Sequence, residues 1–294
     1  MASIKDLPRE EYLLPGNASC PGCGAMIGLK LALKIYGKNT ILVIPACCST
    51  VIQAVYPKTA IKVPVLNIAF MATGATGSGV AEALIAKGLK DVKVLCWAGD
   101  GGTIDIGIQA LSGAAERGHD FLYICYNNEA YMNTGIQRSG GTPLGAWTTT
   151  TPTGKKEFAK DITLIMAAHH IPYVANANIA YPLDYIRKLK KSLEIKGPKF
   201  IHLLCPCPVG WRFPSDQTVK IGRLATQTWV WPLYEVENGV FKLNMKPKKI
   251  PVEEYLKLQG RYAKVDPAFV EKMQKWIDDR MELLLKYDEI GRIF

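Results

Sequence analysis

Short apolar runs alternate with longer mixed segments through the first two thirds of the chain. The runs Thr40–Ala46, Val92–Ala98 and Phe121–Tyr126 are rich in β-branched and aromatic residues, which favours buried strands. Helical patterns at Ala69–Lys90 and Ile106–Arg117 lie between them. Because strands that alternate with helices through short connections are typical of parallel βαβ units, the pattern predicts an α/β fold with a parallel sheet.

A polar segment rich in Gly, Thr and Pro interrupts this alternation between Asn127 and Asp161. A loop of this length inside a compact domain is usually functional. The alternation then resumes with a helix, a short strand, an amphipathic helix and the last strand of the sheet, at Asp161–His170, Tyr173–Ala175, Ala180–Ile195 and Lys199–Leu204.

The pattern changes in residues 215–294. Trp229–Tyr234 and Val240–Leu243 predict an antiparallel appendage, and Pro267–Tyr287 predicts a closing helix. We therefore expect an α/β domain at residues 1–214 and a C-terminal extension that serves as an inter-subunit arm.

A run of small residues lies within the first of the predicted helices, from Gly74 to Ala81 (GATGSGVA). Glycine, which has no Cβ, allows another backbone to come close. We therefore expect tight packing along this stretch.

The composition is that of a globular protein. Of 294 residues, 48% are hydrophobic and 21% are charged, which excludes a disordered, collagen-like or coiled-coil chain. The net charge of +10 lies mostly after residue 182, where lysines are interleaved with acids such as Glu253 and Asp278. This mixture favours a solvated or partner-facing surface, and no nucleic-acid-binding motif accompanies it.

Membrane insertion is not expected. No continuously apolar stretch reaches the roughly 18 residues that would span a bilayer. Met1–Glu11 mixes charges of both signs and has no apolar core, unlike a secretion signal. We expect a soluble, cytoplasmic protein.

Eight cysteines in such a chain point to metal binding or catalysis, because cytoplasmic thiols stay reduced. Cys20–Cys23 (CPGC) is flanked by glycine, and Cys47–Cys48 and Cys205–Cys207 each follow a predicted strand. Cys96 and Cys125 lie inside apolar runs instead, which favours buried core thiols.

Two neighbouring strand ends carry polar residues. The strand Val92–Ala98 runs into Gly99, Asp100 and Gly101, and 25 residues separate Gly101 from Asn127–Ala130 (NNEA) after the next strand. Ligands bind at the carboxyl ends of parallel strands, and glycine-rich turns before helices bind phosphate. This spacing of GDG and NN is that of the thiamine diphosphate motif, although two ordinary Gly/Asn turns would also produce it.

Oxygen ligands for Mg²⁺ are available at these strand ends: the Asp100 carboxylate, the Asn128 amide and a backbone carbonyl near Ala130. We interpret Asp105 as a charge at a helix N-terminus. Adjacent helical residues point about 100° apart, so His169 and His170 cannot both face one ion and are interpreted as surface or packing residues. In the long loop, Arg138 and Ser139 are candidates for contact with diphosphate or a partner.

Taken in order, these motifs resemble the β subunit of pyruvate:ferredoxin oxidoreductase and related 2-oxoacid:ferredoxin oxidoreductases. The resemblance covers about residues 12–215. The matching segments are Cys20–Cys23, Cys48, Gly99–Gly101, Asp105–Gly107, Asn128–Gly135 and Pro206–Pro208.

The resemblance implies a thiamine-diphosphate-binding fold and a [4Fe-4S] cluster held by Cys20, Cys23, Cys48 and Cys207. Cys207 is preferred to Cys205 because the family's ligand lies between two prolines, and Cys47 is then the buried neighbour of Cys48. Thiolates suit iron–sulfur iron, but the same four sulfurs could hold a structural zinc.

The resemblance also implies thiamine diphosphate and Mg²⁺ at Gly99, Asp100, Gly101, Asn128 and Ala130. Asn133 would reach the 2-oxoacid or its thiamine adduct as the catalytic residue, and Thr134 would lie against the diphosphate. An α subunit would supply the carboxylate that activates the thiamine, since Glu129 lies on the Mg²⁺ side. The implied partners also include γ and ferredoxin-like δ subunits, ferredoxin and coenzyme A.

The implied activity is the reversible, coenzyme-A-dependent oxidative decarboxylation of pyruvate to acetyl-CoA and CO₂, with electrons passing to ferredoxin. Similarity across Asn128–Trp147 favours pyruvate. Oxidoreductases for 2-oxoisovalerate, 2-oxoglutarate, an aryl pyruvate or oxalate are the alternatives. More distant alternatives are a thiamine enzyme without redox chemistry and a zinc-stapled binding subunit.

Overall fold

The computed structural model describes residue 5 and residues 7–294. The other N-terminal residues, 1–4 and 6, belong to the stretch expected to lack an apolar core and lie outside this description. Eight strands of the described part form one sheet, in the order β2-β1-β3-β4-β6-β5-β7-β8. The strands are β1 Thr40–Pro45, β2 Val65–Ile68, β3 Lys93–Gly99, β4 Leu122–Asn127, β5 Tyr173–Asn178, β6 Lys199–Leu204, β7 Tyr234–Glu237 and β8 Val240–Leu243.

Helices connect and cover these strands, and no helix of the described residues is long and apolar enough to cross a membrane. A π-helical turn at Gly101–Asp105 precedes the fourth helix. The α-helices are α1 Gly24–Tyr36, α2 Cys48–Gln53, α3 Thr73–Ala86, α4 Ile108–Glu116, α5 Ile162–Ala167, α6 Pro182–Glu194, α7 Pro208–Trp211, α8 Thr218–Gln227, α9 Glu253–Leu256 and α10 Pro267–Ile290.

The first six strands are parallel, so the predicted α/β fold with a parallel sheet is confirmed. Sequence reasoning missed α1 and β2. No side chain caps the start of α1, and its sequence is apolar on most of its surface, which hides the usual helical signals. The four residues of β2 are half-buried or exposed, so they lack the apolar run of a central strand.

Both faces of the sheet are buried, because successive side chains of a strand point to opposite sides. In β3, Leu95 and Trp97 pack with α1 and α6 in one hydrophobic cluster. Val94 and Cys96 pack with α3 and α4 in a second cluster on the opposite face. The central strands are therefore almost continuously apolar, which is why the sequence located them well.

Residues 215–294 continue the sheet. β7 pairs antiparallel with β5, and β8 pairs antiparallel with β7, so the predicted antiparallel appendage is confirmed, with β8 at the predicted Val240–Leu243. The first strand, however, is Tyr234–Glu237, and the prediction of a strand at Trp229–Tyr234 is wrong. The expectation that Lys199–Leu204 is the last strand of the sheet is wrong, because β6 lies between β4 and β5 and β7 covers the open edge of β5. Helices α8 and α10 add side chains to the same hydrophobic cluster as α3 and α4. The role of this region as an inter-subunit arm stays a prediction.

The small residues at the start of α3 allow two close contacts. A Cβ on Gly74 would lie 2.6 Å from the backbone of Ala110 in α4, and a Cβ on Gly77 would lie 2.4 Å from the Cys96 sulfur. The expected tight packing is therefore present. Gly79 differs, because a Cβ there would meet nothing within 4 Å.

Alanine substitutions at two glycines of α3 should change stability in opposite directions. Gly74→Ala should lower the free energy of unfolding by about 1–3 kcal/mol, because the backbone of α4 must move away. Gly79→Ala should raise it by about 0.5–1 kcal/mol, because glycine is unfavourable within a helix. Urea unfolding followed by circular dichroism measures both, and equal effects would contradict the packing described here.

Candidate active site

The carboxyl ends of β3 and β4 lie side by side, with Gly99 opposite Tyr126 in the strand register. A cavity of about 330 Å³ opens against this edge. Seven residues predicted from the sequence to bind the cofactor line this cavity, together with Cys48, which was predicted to bind the cluster. The seven are Gly99, Asp100, Gly101, Asn128, Ala130, Asn133 and Thr134.

A carboxylate, a backbone carbonyl and a side-chain amide converge at the cavity wall. The Asn128 amide lies 2.9 Å from Asp100 Oδ1 and 2.9 Å from the Ala130 carbonyl oxygen, and its nitrogen, turned toward them, donates to both. With the amide turned the other way, its oxygen would meet the same two oxygens, and a cation at that point would find three oxygen ligands. Carboxylate, amide and carbonyl oxygens are the ligands that Mg²⁺ prefers, so these residues fit a Mg²⁺ site.

Asp100 is the charged member of this trio and is only 1% exposed. Burial raises the pKa of its carboxyl to about 7, although a hydrogen bond from Ser139 opposes the shift. The Ser139 hydroxyl donates to Oδ2, which leaves Oδ1 facing Asn128. A bound cation would favour the ionised carboxylate instead. Ser139, expected to touch diphosphate or a partner, thus orients Asp100.

Glu129 lies between Asn128 and Ala130 in the chain, and its backbone is in the left-handed region, with φ of 66°. Its carboxylate is buried and pairs with Arg261, at 2.6 Å between Oε2 and Nη1. Sequence reasoning missed Arg261, because the residue is distant in the chain and belongs to no motif.

The loop after Ala130 is tied to the π-helical turn by Asp105. Its Oδ2 accepts hydrogen bonds from the Tyr131 hydroxyl and the Gly140 amide, each at 2.8 Å, and its Oδ1 pairs with Lys160 at 3.0 Å. Asp105 precedes α4, as its interpretation as a charge near a helix N-terminus requires, and its three partners also anchor the loop. The anchored loop presents Asn133 to the cavity.

Thr134 is exposed at the same loop, where its hydroxyl donates to Gln137 Oε1 at 2.6 Å. Arg138 is also exposed and pairs with Glu157 at 3.4 Å. The assigned roles of Asn133 and Thr134 stay predictions, and both residues line the cavity as those roles require.

Four cysteines stand at the starts of helices or in the turn before one. Cys20 and Cys23 form the turn before α1, Cys48 begins α2, and Cys207 directly precedes α7. Burial raises the pKa of the Cys48 thiol to about 12, and the neighbouring thiols of Cys47, Cys207, Cys23 and Cys20 add to the shift. The thiols predicted as cluster ligands are therefore electrostatic neighbours.

Glycines let these cysteine loops approach one another. A Cβ on Gly24 would lie 2.8 Å from the Pro206 carbonyl oxygen, and one on Gly22 would lie 2.2 Å from the Ser215 carbonyl oxygen. The Thr218 hydroxyl donates to the Gly22 carbonyl oxygen at 2.7 Å. The CPGCG segment is thus pressed against the loop that carries Cys207.

The other cysteines differ in exposure. Cys205 is 1% exposed. Its amide donates to the Asn127 carbonyl oxygen at 2.9 Å, so it extends the hydrogen bonding between β4 and β6 by one residue. Cys96 and Cys125 are fully buried, as predicted. The expectation that Cys47 is buried is wrong, because it is half-buried and lines the cavity with Cys48.

Among the described residues, no group of three or more His, Cys, Asp or Glu side chains is placed to bind one metal ion. A [4Fe-4S] cluster makes a different demand, because its four thiolate ligands bind four different iron atoms.

Histidines stand apart from the cavity. His169 lies 2.8 Å from the Ser112 hydroxyl and His170 packs against Phe294, in keeping with surface and packing roles. Sequence reasoning missed His202, which is buried between the Asn127 amide and the Thr163 hydroxyl, each at 3.0 Å. Burial lowers the pKa of His202 to about 3, so the ring is neutral.

Known proteins are similar to this chain in sequence and fold. The model for the thiamine pyrophosphate enzyme family, C-terminal TPP binding domain, matches residues 47–203. The ketoisovalerate oxidoreductase subunit VorB of Pyrococcus furiosus is 54% identical over 297 residues, covering 97% of this chain and 96% of the relative. The pyruvate synthase subunit PorB of Methanocaldococcus jannaschii is 51% identical over 294 residues, covering 96% and 99%. The chain belongs to the 2-oxoacid:ferredoxin oxidoreductase family.

The fold agrees with this membership. A chain of 2-oxoglutarate:ferredoxin oxidoreductase from Magnetococcus marinus superposes with a TM-score of 0.57 at 21% identity, covering 74% of this chain and 79% of that one. The family resemblance inferred from the motifs is confirmed, as are an oxidoreductase assignment and a thiamine-diphosphate-binding fold.

His202 makes the stability of this oxidoreductase subunit depend on pH. An unfolded histidine titrates near about 6.5, so the unfolded chain takes up a proton before the folded chain does as the pH falls. The His202 contribution to the free energy of unfolding should be complete above roughly pH 6.5. It should fall by up to about 1.4 kcal/mol per pH unit between roughly pH 6.5 and 3.

Substitution isolates this contribution from other titrating groups. The difference in unfolding free energy between the natural protein and His202→Asn, measured in urea at pH 7 and pH 5, should shrink at the lower pH. His169→Asn is the control at a histidine outside this buried site. A His202→Asn difference that is the same at both pH values would contradict the assignment.

Proposed function

We propose that this chain is the subunit of a pyruvate:ferredoxin oxidoreductase that binds thiamine diphosphate, Mg²⁺ and a [4Fe-4S] cluster. One observation carries the proposal: Asp100 and Asn128, two of the three converging groups, line the same cavity as Cys48. A cofactor bound through Mg²⁺ at these groups would therefore lie beside a cluster bound at the cysteines.

The oxygens of Asp100, Asn128 and Ala130 would hold Mg²⁺, which would in turn bind the diphosphate of the cofactor. Gly101 and Gly102 line the cavity without a side chain, so diphosphate could approach their backbone. Asn133 would contact the 2-oxoacid, and Thr134 would donate to diphosphate. Thiamine diphosphate, when bound, supplies an electron sink for the carbanion left by decarboxylation.

The [4Fe-4S] cluster would be held by Cys20, Cys23, Cys48 and Cys207 and would accept electrons one at a time. Burial raises the pKa of Cys207 to about 11, opposed by the Gly210 amide that donates to its sulfur. Binding to iron would deprotonate such a thiol and remove the cost of burying it as a charge.

The proposed reaction balances as pyruvate, coenzyme A and two oxidised ferredoxins giving acetyl-CoA, CO₂, one proton and two reduced ferredoxins. Glu129 is unsuited to activate thiamine, because its carboxylate is buried and paired with Arg261. We infer that an α subunit supplies the activating carboxylate and the other half of the site. A γ subunit and a ferredoxin-like δ subunit would complete the assembly and carry electrons to ferredoxin.

Oxidation of 2-oxoisovalerate is the second candidate activity. It is favoured by the 54% identity to the ketoisovalerate oxidoreductase subunit, against 51% to the pyruvate synthase subunit. Both substrates share the 2-oxoacid group, so the two candidates make the same demands on Mg²⁺, diphosphate and the cluster.

Matched substitutions should separate the two halves of the site. In the complex purified anaerobically, Cys207→Ser should lower iron and acid-labile sulfide by about four atoms each per chain and spare thiamine diphosphate binding, because the cluster loses a ligand. Cys205→Ser is the control and should keep the cluster. Asp100→Asn should instead lose Mg²⁺-dependent retention of thiamine diphosphate and keep the iron.

Elemental analysis and an optical spectrum measure these outcomes. Loss of iron in Cys205→Ser but not in Cys207→Ser would reverse the choice between the two cysteines. Zinc in place of iron in the natural complex would remove the electron-transfer step from the proposal.

Substrate preference distinguishes the two candidate activities. In the assembled complex, kcat/KM for ferredoxin reduction should be at least about ten-fold higher with pyruvate than with 2-oxoisovalerate, the order expected when a pocket excludes extra methyl groups. The opposite order would assign the complex to branched 2-oxoacids and leave the cofactor site unchanged.

A further inference from the structure

The segment that carries two of the three converging groups has an unusual backbone at its centre. Glu129 separates Asn128 from Ala130 and has φ of 66°, in the left-handed region that residues with a side chain rarely adopt. Such a conformation persists when the surroundings hold it. Here it accompanies a geometry in which the Asn128 side chain and the Ala130 carbonyl face each other at 2.9 Å.

A buried ion pair holds this residue. Glu129 Oε2 lies 2.6 Å from Arg261 Nη1, and the two side chains are only 4% and 2% exposed. Oε2 forms no hydrogen bond of regular geometry, so the contact acts mainly through charge. Removing one partner of a buried pair leaves the other charge uncompensated, which strongly disfavours the same local structure.

Arg261 reaches the same segment by a second route. Its guanidinium lies 3.8 Å from the centre of the Trp211 ring, and the Trp211 indole donates to the Asn128 carbonyl oxygen at 2.8 Å. One arginine therefore contacts Glu129 directly and supports the backbone of Asn128 through tryptophan. A planar guanidinium can stack and pair at once, which a lysine ammonium cannot do.

Arg261 is itself fixed in position by its neighbours. Its Nε donates to Gln259 Oε1 at 2.9 Å, and its carbonyl oxygen accepts from the Trp147 amide at 2.9 Å. The side chain is thus held before any cation arrives, so it can keep Asn128 and Ala130 in place.

We propose that Arg261 is a positioning residue for the Mg²⁺ site: it holds the Glu129 backbone so that the Asn128 and Ala130 oxygens converge with Asp100. The proposal rests on the proposed function, because it assumes that these oxygens bind Mg²⁺ for thiamine diphosphate. It gives residues 215–294 a part in cofactor binding, in addition to their expected contact with another subunit.

The Mg²⁺ requirement for cofactor retention tests the proposal. The assembled complex is stripped with a chelator, then incubated with fixed thiamine diphosphate and graded Mg²⁺, and the cofactor retained after gel filtration is measured. Arg261→Met should raise the Mg²⁺ concentration at half-retention at least ten-fold. Iron content is measured on the same samples and should stay near that of the natural complex, whereas the unfolding midpoint should fall, because Glu129 loses its partner.

The matched control is Arg212→Met. Arg212 lies near Arg261 and also stacks on a tryptophan, with its guanidinium 3.4 Å from the centre of the Trp147 ring. Its partner is Trp147 rather than Trp211, so the Mg²⁺ requirement should not change. An equal rise in Arg212→Met and Arg261→Met would overturn the proposal, because any loss of a stacked arginine would then suffice.

Two milder variants apply if Arg261→Met does not assemble. Arg261→Lys keeps the charge but loses the planar guanidinium that stacks on Trp211. Glu129→Gln keeps the side-chain length but loses the charge. Each should raise the Mg²⁺ requirement several-fold with the cluster intact. An unchanged requirement in both assembled variants would overturn the proposal.

Asp100→Asn in the same assay separates this proposal from the proposed function. If Asp100→Asn loses Mg²⁺-dependent retention while the Arg261 and Glu129 variants behave as the natural complex, the positioning role alone fails. If Asp100→Asn retains the cofactor normally, the Mg²⁺ site fails, and the positioning role fails with it.

Discussion

The meeting of two parallel strand ends is the constraint on which this site depends. It brings the Asp100 carboxylate, the Asn128 amide and the Ala130 carbonyl together, with the amide nitrogen placed to donate to both oxygens. A cation could replace these hydrogen bonds only where the surrounding structure keeps the three groups in position. The parallel sheet provides the position of the strand ends, Ser139 turns the Asp100 carboxylate, and Asp105 anchors the loop beyond Ala130.

The residues proposed to bind the cofactor and the cluster lie at one edge of the sheet, because ligands bind at the carboxyl ends of parallel strands. The carboxyl ends of β1, β3, β4 and β6 lie at one edge of the sheet, and each is followed by a residue proposed to bind Mg²⁺ or the cluster. Cys48 follows β1, Asp100 follows β3, Asn128 follows β4 and Cys207 follows β6. In the proposed complex, the short distance between thiamine diphosphate and the cluster would therefore follow from the topology of the sheet.

The sequence predicted the parts of this site that lie on apolar strands and fixed spacings. β3, β4 and β6 are long runs of buried residues, so their ends, and hence Asp100, Asn128 and Cys207, could be located without coordinates. Arg261, His202 and the contact of Ser139 with Asp100 were missed for a different reason. Their roles arise from contacts between segments far apart in the chain, such as Arg261 with Glu129, which leave no local periodicity. The same holds for β7, whose place depends on the open edge of β5.

The close approach of Gly24 to Pro206 has a consequence for the order of assembly in the cell. The cysteines on these two loops are far apart in sequence, and the loops meet only when α1 has packed against the sheet beside β6. A metal group that bridges such distant positions closes a very long loop, which costs an unfolded chain considerable entropy. A cluster bound at the proposed cysteines would therefore be inserted after the sheet has formed, and once bound it would stabilise the contact between these distant segments against unfolding.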